Sequence, residues 1–228
     1  MAIRPLFIVT DNPNAFVKEV DIDFQWFPGM SKSQKQKSIH SLHEAALKRR
    51  DELGIKKILE VSSKSEESLG IALSAFNLSY KFSNGTSTSV ECIFQSSKVF
   101  ENGGPYTELL YGSSMEAKKF EPLQTSGKLL YFERNNIEWE LEPKTLFYDW
   151  IYLNTLRTND DLIEPLLEYN AFTDIEFNPK KSINCQAASV ALFVALKRAN
   201  ILDSVLKDKS TFTEFLQKQS SRNNKKLF

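Results

Sequence analysis

Histidine and cysteine are nearly missing from these 228 residues, at two apiece, and the shortage removes several kinds of protein at once. Cys92 and Cys185 sit in separate apolar helical patterns, which suits reduced core thiols and not a disulfide framework. Together with His40 and His43 they show no metal-ligand spacing, so no structural zinc and no metal centre is expected. Charge of one sign is not in excess either: Lys plus Arg and Asp plus Glu balance at 29 each. No overall field draws the chain to a polyanion, and any phosphate contact must come from a local patch. Glycine and proline number only 8 each, with no internal repeat and no low-complexity segment. No apolar run reaches membrane-spanning length, and the N-terminus lacks the basic, apolar and small-residue progression of a secretory signal. A cytoplasmic protein without membrane contact is the expectation. There is no P-loop, no G-x-S-x-G and no dinucleotide fingerprint, and nothing in the chain asks for a cofactor.

What is present is an ordinary globular composition, 41% hydrophobic and 25% charged, with strand and helix periods interleaved. Pro5 to Val9 and Val17 to Phe27 read as strands, the second alternating through Val20, Ile22, Phe24 and Trp26. Ser31 to Leu53 reads as one long helix stopped by Gly54, with Ile39, Leu42, Ala46 and Leu53 inward and Lys32, Lys35, Lys37, His40, His43, Lys48, Arg49 and Arg50 on a basic outer face. Ile58 to Val61 is a strand. Leu78, Tyr80 and Phe82 alternate toward Ser83-Asn84-Gly85, a hairpin signal, and a second hairpin turns at Arg134-Asn135-Asn136. Ser113 and Glu116 have capping-box spacing, as do Thr211 and Glu214. Helices are expected over Pro143 to Thr158, Asp160 to Tyr169, Cys185 to Ala199 and Ser210 to Gln217. Asn170 to Asn184 reads as a polar loop, and Ser220 to Lys226 as a frayed basic tail.

The chemistry concentrates in Ser89 to Phe100. With Ser89 as N-cap, Glu91 falls in the first turn, where a carboxylate suits unpaired N–H groups. Read as one helix, Glu91, Gln95 and Lys98 stand at i, i+4 and i+7, a polar line between apolar flanks that fits a solvated edge or a pocket wall. The two histidines sit on a basic amphipathic helix, which leaves carboxylate and lysine chemistry. A carboxylate can stabilise an oxocarbenium-like centre or activate water, and a desolvated lysine can attack a ring-opened sugar aldehyde. Trp139 and Tyr106 are candidates for stacking on a base. The Asn102-Gly103-Gly104-Pro105-Tyr106 loop is able to bring backbone N–H groups to an anion.

These residues resemble the NADAR family, whose hallmark is a Ser-x-Glu-x-x-Phe-Gln-x-x-Lys-Phe-like segment, here Ser89, Glu91, Phe94, Gln95, Lys98 and Phe100. Leu73-Ser74-Ala75-Phe76, Ser113 to Ala117, Trp139 with Lys144, and Ser182 to Ala187 match in the same order. Phe27 to Ser38, Glu142 to Trp150 and Ala171 to Asn178 look like the NADAR antitoxins paired with DarT-type DNA ADP-ribosyltransferase toxins. The resemblance implies an α+β, helix-rich domain over 71–228 with a family-specific extension over 1–70. It implies an N-glycosidase that removes ADP-ribose from guanine in single-stranded DNA, releases free ADP-ribose and reverses a DarT-type toxin. A glycosidase of small N-ribosyl metabolites, or a non-catalytic antitoxin or ADP-ribose reader, are the alternatives. By position it makes Glu91 the catalytic carboxylate. Lys98 pairs with it, binds phosphate or forms a Schiff base. Phe94, Gln95, Tyr106 and Lys144 bind substrate, Trp139 is a stacking wall, and Gly103, Gly104 and Asn184 hold diphosphate and ribose. Two positions depart from the family. Ala75 replaces an Asn that Asn77 would cover, and Asn170 stands where an acid is expected, leaving Asp174 as the acidic substitute.

Overall fold

The computed structural model describes residues 1–224, with side chains to Gln219. In chain order, β1 (Ala2–Val9) and β2 (Val17–Phe24) precede α1 (Lys32–Leu47), α2 (Arg50–Leu53), β3 (Ile58–Glu60) and α3 (Ser68–Ala72). The middle of the chain forms β4 (Ser79–Lys81), β5 (Ser87–Ser89), α4 (Val90–Ser96), β6 (Lys98–Phe100), a 3-10 turn (Thr107–Tyr111), α5 (Ser114–Lys119) and α6 (Pro122–Thr125). Then come β7 (Leu129–Arg134), β8 (Ile137–Trp139), α7 (Leu146–Leu156), α8 (Asp160–Leu166), β9 (Ala171–Thr173), α9 (Gln186–Arg198), α10 (Leu202–Val205) and α11 (Lys209–Asn224). The content is mixed α+β, as the sequence leads one to expect. Two compact units divide it: Met1–Ser74 with the chain from Asp160 onward, and Ala75–Asn159.

In the first unit a four-stranded sheet runs β2-β1-β9-β3, antiparallel except for the parallel β9/β3 pair. Leu6 to Val9 are all buried, because helices cover both faces of β1. Leu6, Ile8, Ile22 and Phe24 pack with Ile39, Leu42 and Ala46 of α1. The apolar helix α9 packs on β1, β9 and β2. Pro5 is tolerated within β1 because β9 pairs only with Phe7 and Ile8, leaving that part of the strand without a second ladder.

The expected helix over Ser31 to Leu53 is two helices. Ser31 caps α1 by accepting from Gln34 N, but the ladder tightens at Arg49, whose N–H reaches back only to Ala46 O. α2 then ends at Gly54 with φ +65°, the left-handed stop. The polar loop expected over Asn170 to Asn184 contains β9, and Ala171, Phe172 and Thr173 are fully buried. A three-residue strand covered on both faces shows no alternation, so period 2 had nothing to register. His43 also leaves the basic face, since its Nε2 lies 2.8 Å from Thr173 Oγ1. Thr211 does not cap α11; its N–H donates to Asp208 Oδ1 at 2.8 Å. The helix runs on through the start of the expected tail, and Lys225 and Lys226 lie outside the described residues.

The second unit holds the β4/β5 hairpin, turned by Gly85 at φ +84°, and an antiparallel β6-β7-β8 sheet. Asn135 and Asn136 both have positive φ, as a two-residue hairpin turn requires. Phe94, Phe132, Phe147, Trp139 and Trp150 form a chain of ring contacts 4.8–5.6 Å apart at centroid. α7 starts at Leu146, later than expected, after Leu146 N closes a turn onto Pro143 O.

Candidate active site

α4 is anchored at its first turn by groups from its own unit. Ser89 Oγ accepts from Cys92 N at 3.1 Å, and Ser114 Oγ lies 2.7 Å from both Ser89 Oγ and Phe76 O. Val90 N and Glu91 N donate to Leu78 O and Ala75 O at 3.0 and 2.9 Å. The N–H groups that a helix start leaves open are therefore spent internally, and the Glu91 side chain is aimed by a fixed backbone. The main chain of residue 75 supplies that anchor whatever its side chain, so Ala in place of Asn keeps it, while Asn77 is exposed.

Glu91 is 8% exposed. Its Oε1 accepts from Gln95 Nε2 at 2.9 Å, and among the described residues no hydrogen bond reaches its other oxygen. Gln95 is equally buried, and its own Oε1 has no partner. The amide orientation follows from chemistry, since a flipped Gln95 would set oxygen against carboxylate. An acid with one oxygen tied back thus stands beside a buried, unsatisfied acceptor.

Lys98 is not on this helix. The expected helix to Phe100 stops at Ser96, because Ser96 Oγ and Ser97 Oγ both donate to Ile93 O at 3.0 and 2.8 Å, and such back-bonding competes with the helix ladder. Val99 and Phe100 then suit a strand, and β6 pairs Lys98 with Phe132 of β7. The residues of the supposed line still converge. Lys98 Nζ lies 4.8 Å from the centre of the Phe94 ring, and that ring is 5.2 Å from Phe132. Burial pushes the Lys98 amine below its ordinary pKa, with the Glu91 charge opposing. No carboxylate pairs with it among the described residues.

The remaining candidates of this unit have structural explanations. Trp139 is 2% exposed and packs between Phe147 and Trp150, so it belongs to the core and offers no open stacking wall. Tyr106 packs on Phe120 and hydrogen-bonds Ser126 Oγ. A Cβ on Gly103 would come within 2.3 Å of Tyr106 Oη, and one on Gly104 within 2.1 Å of Lys98 O. The pair is small because chain and ring pass close by, and Gly104 at φ +92° shapes the backbone that carries Lys98. Lys144 is exposed ahead of α7. Arg134 was missed. It is half-buried with its guanidinium 5.7 Å over the Tyr80 ring, and its place beside a turn hid it.

Asp174 and Asn184 belong to the first unit. Asp174 Oδ1 accepts from Glu176 N and Phe177 N at 3.0 and 3.2 Å, closing a turn. Burial, and then the nearby Glu60 charge, raise its pKa well above the usual range. Glu60, 2% exposed, is likewise raised by burial, accepting from Thr173 Oγ1 at 2.7 Å and Ile175 N at 2.8 Å. Thr173 in turn accepts from His43, so the imidazole carries its proton on Nε2; burial lowers its pKa to about 4. Asn184 is half-buried, with an unpartnered Oδ1. Asn170 binds Lys56 N, Lys57 N and Gly54 O. Among the described residues no group of side chains could hold a metal, and no helix is long and apolar enough to cross a membrane.

The mixed α+β fold thus carries a buried carboxylate and a desolvated amine on one segment, Glu91 to Lys98. The sequence matches the DarT1-associated NADAR antitoxin family over residues 2–226, and the chain belongs to that family. The family is glycosidase-like, and its description associates it, as an antitoxin, with a DarT1 toxin. No match to a curated protein was found.

Proposed function

We propose that the protein is an N-glycosidase that removes ADP-ribose from ADP-ribosylated guanine in DNA, restoring the base that a DarT-type toxin modifies. The observation that carries this is the Glu91/Gln95 arrangement: a nearly buried carboxylate, oriented by an amide, with one oxygen not hydrogen-bonded by the protein. The bond from the anomeric carbon to the guanine nitrogen breaks, and the base leaves with the electron pair and takes up a proton from solvent, which the proton Glu91 removes from the attacking water balances. Glu91 faces the positive charge developing on the sugar and takes a proton from the water whose oxygen bonds to that carbon. Gln95 Oε1, costly to leave unsatisfied, accepts from a ribose hydroxyl. Lys98 supplies positive charge beside the site. In this reading 71–228 is the NADAR-like part and 1–70 its extension. Asp174 and Asn170 take no step, since their polar groups are engaged in turns and backbone support.

Incubation with an ADP-ribosylated single-stranded oligonucleotide is expected to release ADP-ribose and return the unmodified strand, followed by mass spectrometry. A protein that forms a complex with the toxin yet leaves the modified strand intact would make it a non-catalytic antitoxin.

A further inference from the structure

Arg134 closes β7 just before the Asn135-Asn136 turn. Residues two apart on a strand share a face, and directly paired residues do too. Phe132 pairs with Lys98, so Lys98, Phe132 and Arg134 present their side chains on one face of the sheet. Lys98 and Arg134 are then diagonal neighbours, about 7–8 Å apart along the backbone. Each cation lies over an aromatic ring, Lys98 over Phe94 and Arg134 over Tyr80. The rings hold the side chains and shed water without supplying negative charge. Burial depresses the pKa of both groups, and neither has a carboxylate partner among the described residues. All four side chains are half-buried and so keep a side open to solvent. Two partly desolvated cations, neither held in a salt bridge among the described residues and only Lys98 facing a carboxylate charge, that of Glu91, are costly, and an anion with two linked charges relieves both.

We infer that Arg134 and Lys98 form a diphosphate-binding site, with the planar guanidinium gripping one phosphoryl group through paired N–H donors and the ammonium neutralising the other. The inference deepens the glycosidase reading by assigning the diphosphate of ADP-ribose to this sheet face, next to the Glu91 carboxylate that reads the sugar. It also gives Lys98 a charge-neutralising role toward that diphosphate.

Binding of ADP-ribose, of inorganic pyrophosphate and of adenosine to the full chain is measured by calorimetry for wild type, Arg134→Gln and Arg134→Lys. Wild type is expected to bind the first two. Arg134→Gln should weaken both about 10- to 100-fold, the loss of a charged hydrogen-bonded contact, and Arg134→Lys should recover part of it. Adenosine binding should be unaffected, which a merely misfolded variant would not achieve. Equal binding of pyrophosphate and ADP-ribose by wild type and Arg134→Gln would overturn the assignment. Equal losses for adenosine would do the same. Because binding is read without turnover, a protein that binds ADP-ribose through Arg134 but leaves the modified strand uncleaved would uphold this site and refute the glycosidase reading. Cleavage unaffected by Arg134→Gln in KM, with unchanged pyrophosphate binding, would do the reverse.

Discussion

Asn170 uses both ends of its amide. Oδ1 accepts from Lys56 N at 2.7 Å and Lys57 N at 3.3 Å, while Nδ2 donates to Gly54 O at 2.8 Å. A carboxylate can accept but not donate, so the acid expected at this place would turn an oxygen on the Gly54 carbonyl. Asn170→Asp is expected to lower stability at pH 7 by about 1–3 kcal/mol, read from urea unfolding; an unchanged midpoint would show that the amide staples nothing. The departure is thus a structural adaptation of the chain around Gly54. Such roles were not legible in the sequence, because Asn170 and Lys56 are brought together only by the fold. The first-turn position of Glu91 was legible, since its capping context is local: Ser89 Oγ on Cys92 N, three residues away. Trp139 was misread because aromatic type alone does not distinguish a core ring from an exposed one.

At the scale of elements, α4 illustrates what periodicity resolves and what it does not. A helical pattern from Val90 to Ser96 and the alternation of a strand from Lys98 onward join without a glycine or proline to mark the seam. Two serines bonding back to one carbonyl make the break, a signal far weaker than the apolar pattern around it. Lys98 is reached all the same, but through strand pairing with Phe132. Its backbone depends on Gly104, whose absent Cβ leaves room for Lys98 O. Gly104→Ala adds a clash with backbone to an unfavourable φ of +92° and is expected to destabilise by about 2 kcal/mol or more. Gly85→Ala, at φ +84° with no atom within 4 Å, carries only the conformational penalty, about 1–2 kcal/mol. Comparable losses in urea unfolding for the two variants would mean that the close approach at Gly104 is unimportant.

For the whole molecule, the α+β class and both hairpins follow from turn chemistry and alternation, whereas β9 came from pairing that only the assembled sheet supplies. The buried Glu60, Thr173 and His43 network makes folding sensitive to pH. The folded pKa of His43 lies at about 4, below its usual 6.5, so the unfolded chain binds the extra proton. His43 therefore costs nothing above pH 6.5, and stability falls as pH drops from there toward 4. The raised carboxyl groups of Glu60 and Asp174 act oppositely: their contribution is present below the unfolded carboxyl pKa and lost as pH rises through the folded values. His43→Gln keeps an N–H for Thr173 and removes the titration. Its stability, measured by urea unfolding at pH 7.5 and pH 5, should fall less on acidification than that of wild type, by up to about 2 kcal/mol. An identical drop in both proteins would place the acid sensitivity elsewhere.

In the proposed reaction Glu91 acts on the bond between ADP-ribose and guanine. The most direct test of that role compares wild type with Glu91→Gln on an ADP-ribosylated oligonucleotide, with the unfolding midpoint of each measured alongside. Glu91→Gln is expected to lose ADP-ribose release by at least about a thousandfold, the scale of an essential acid–base group together with its charge, while remaining folded. Release at the wild-type rate by folded Glu91→Gln would contradict that role.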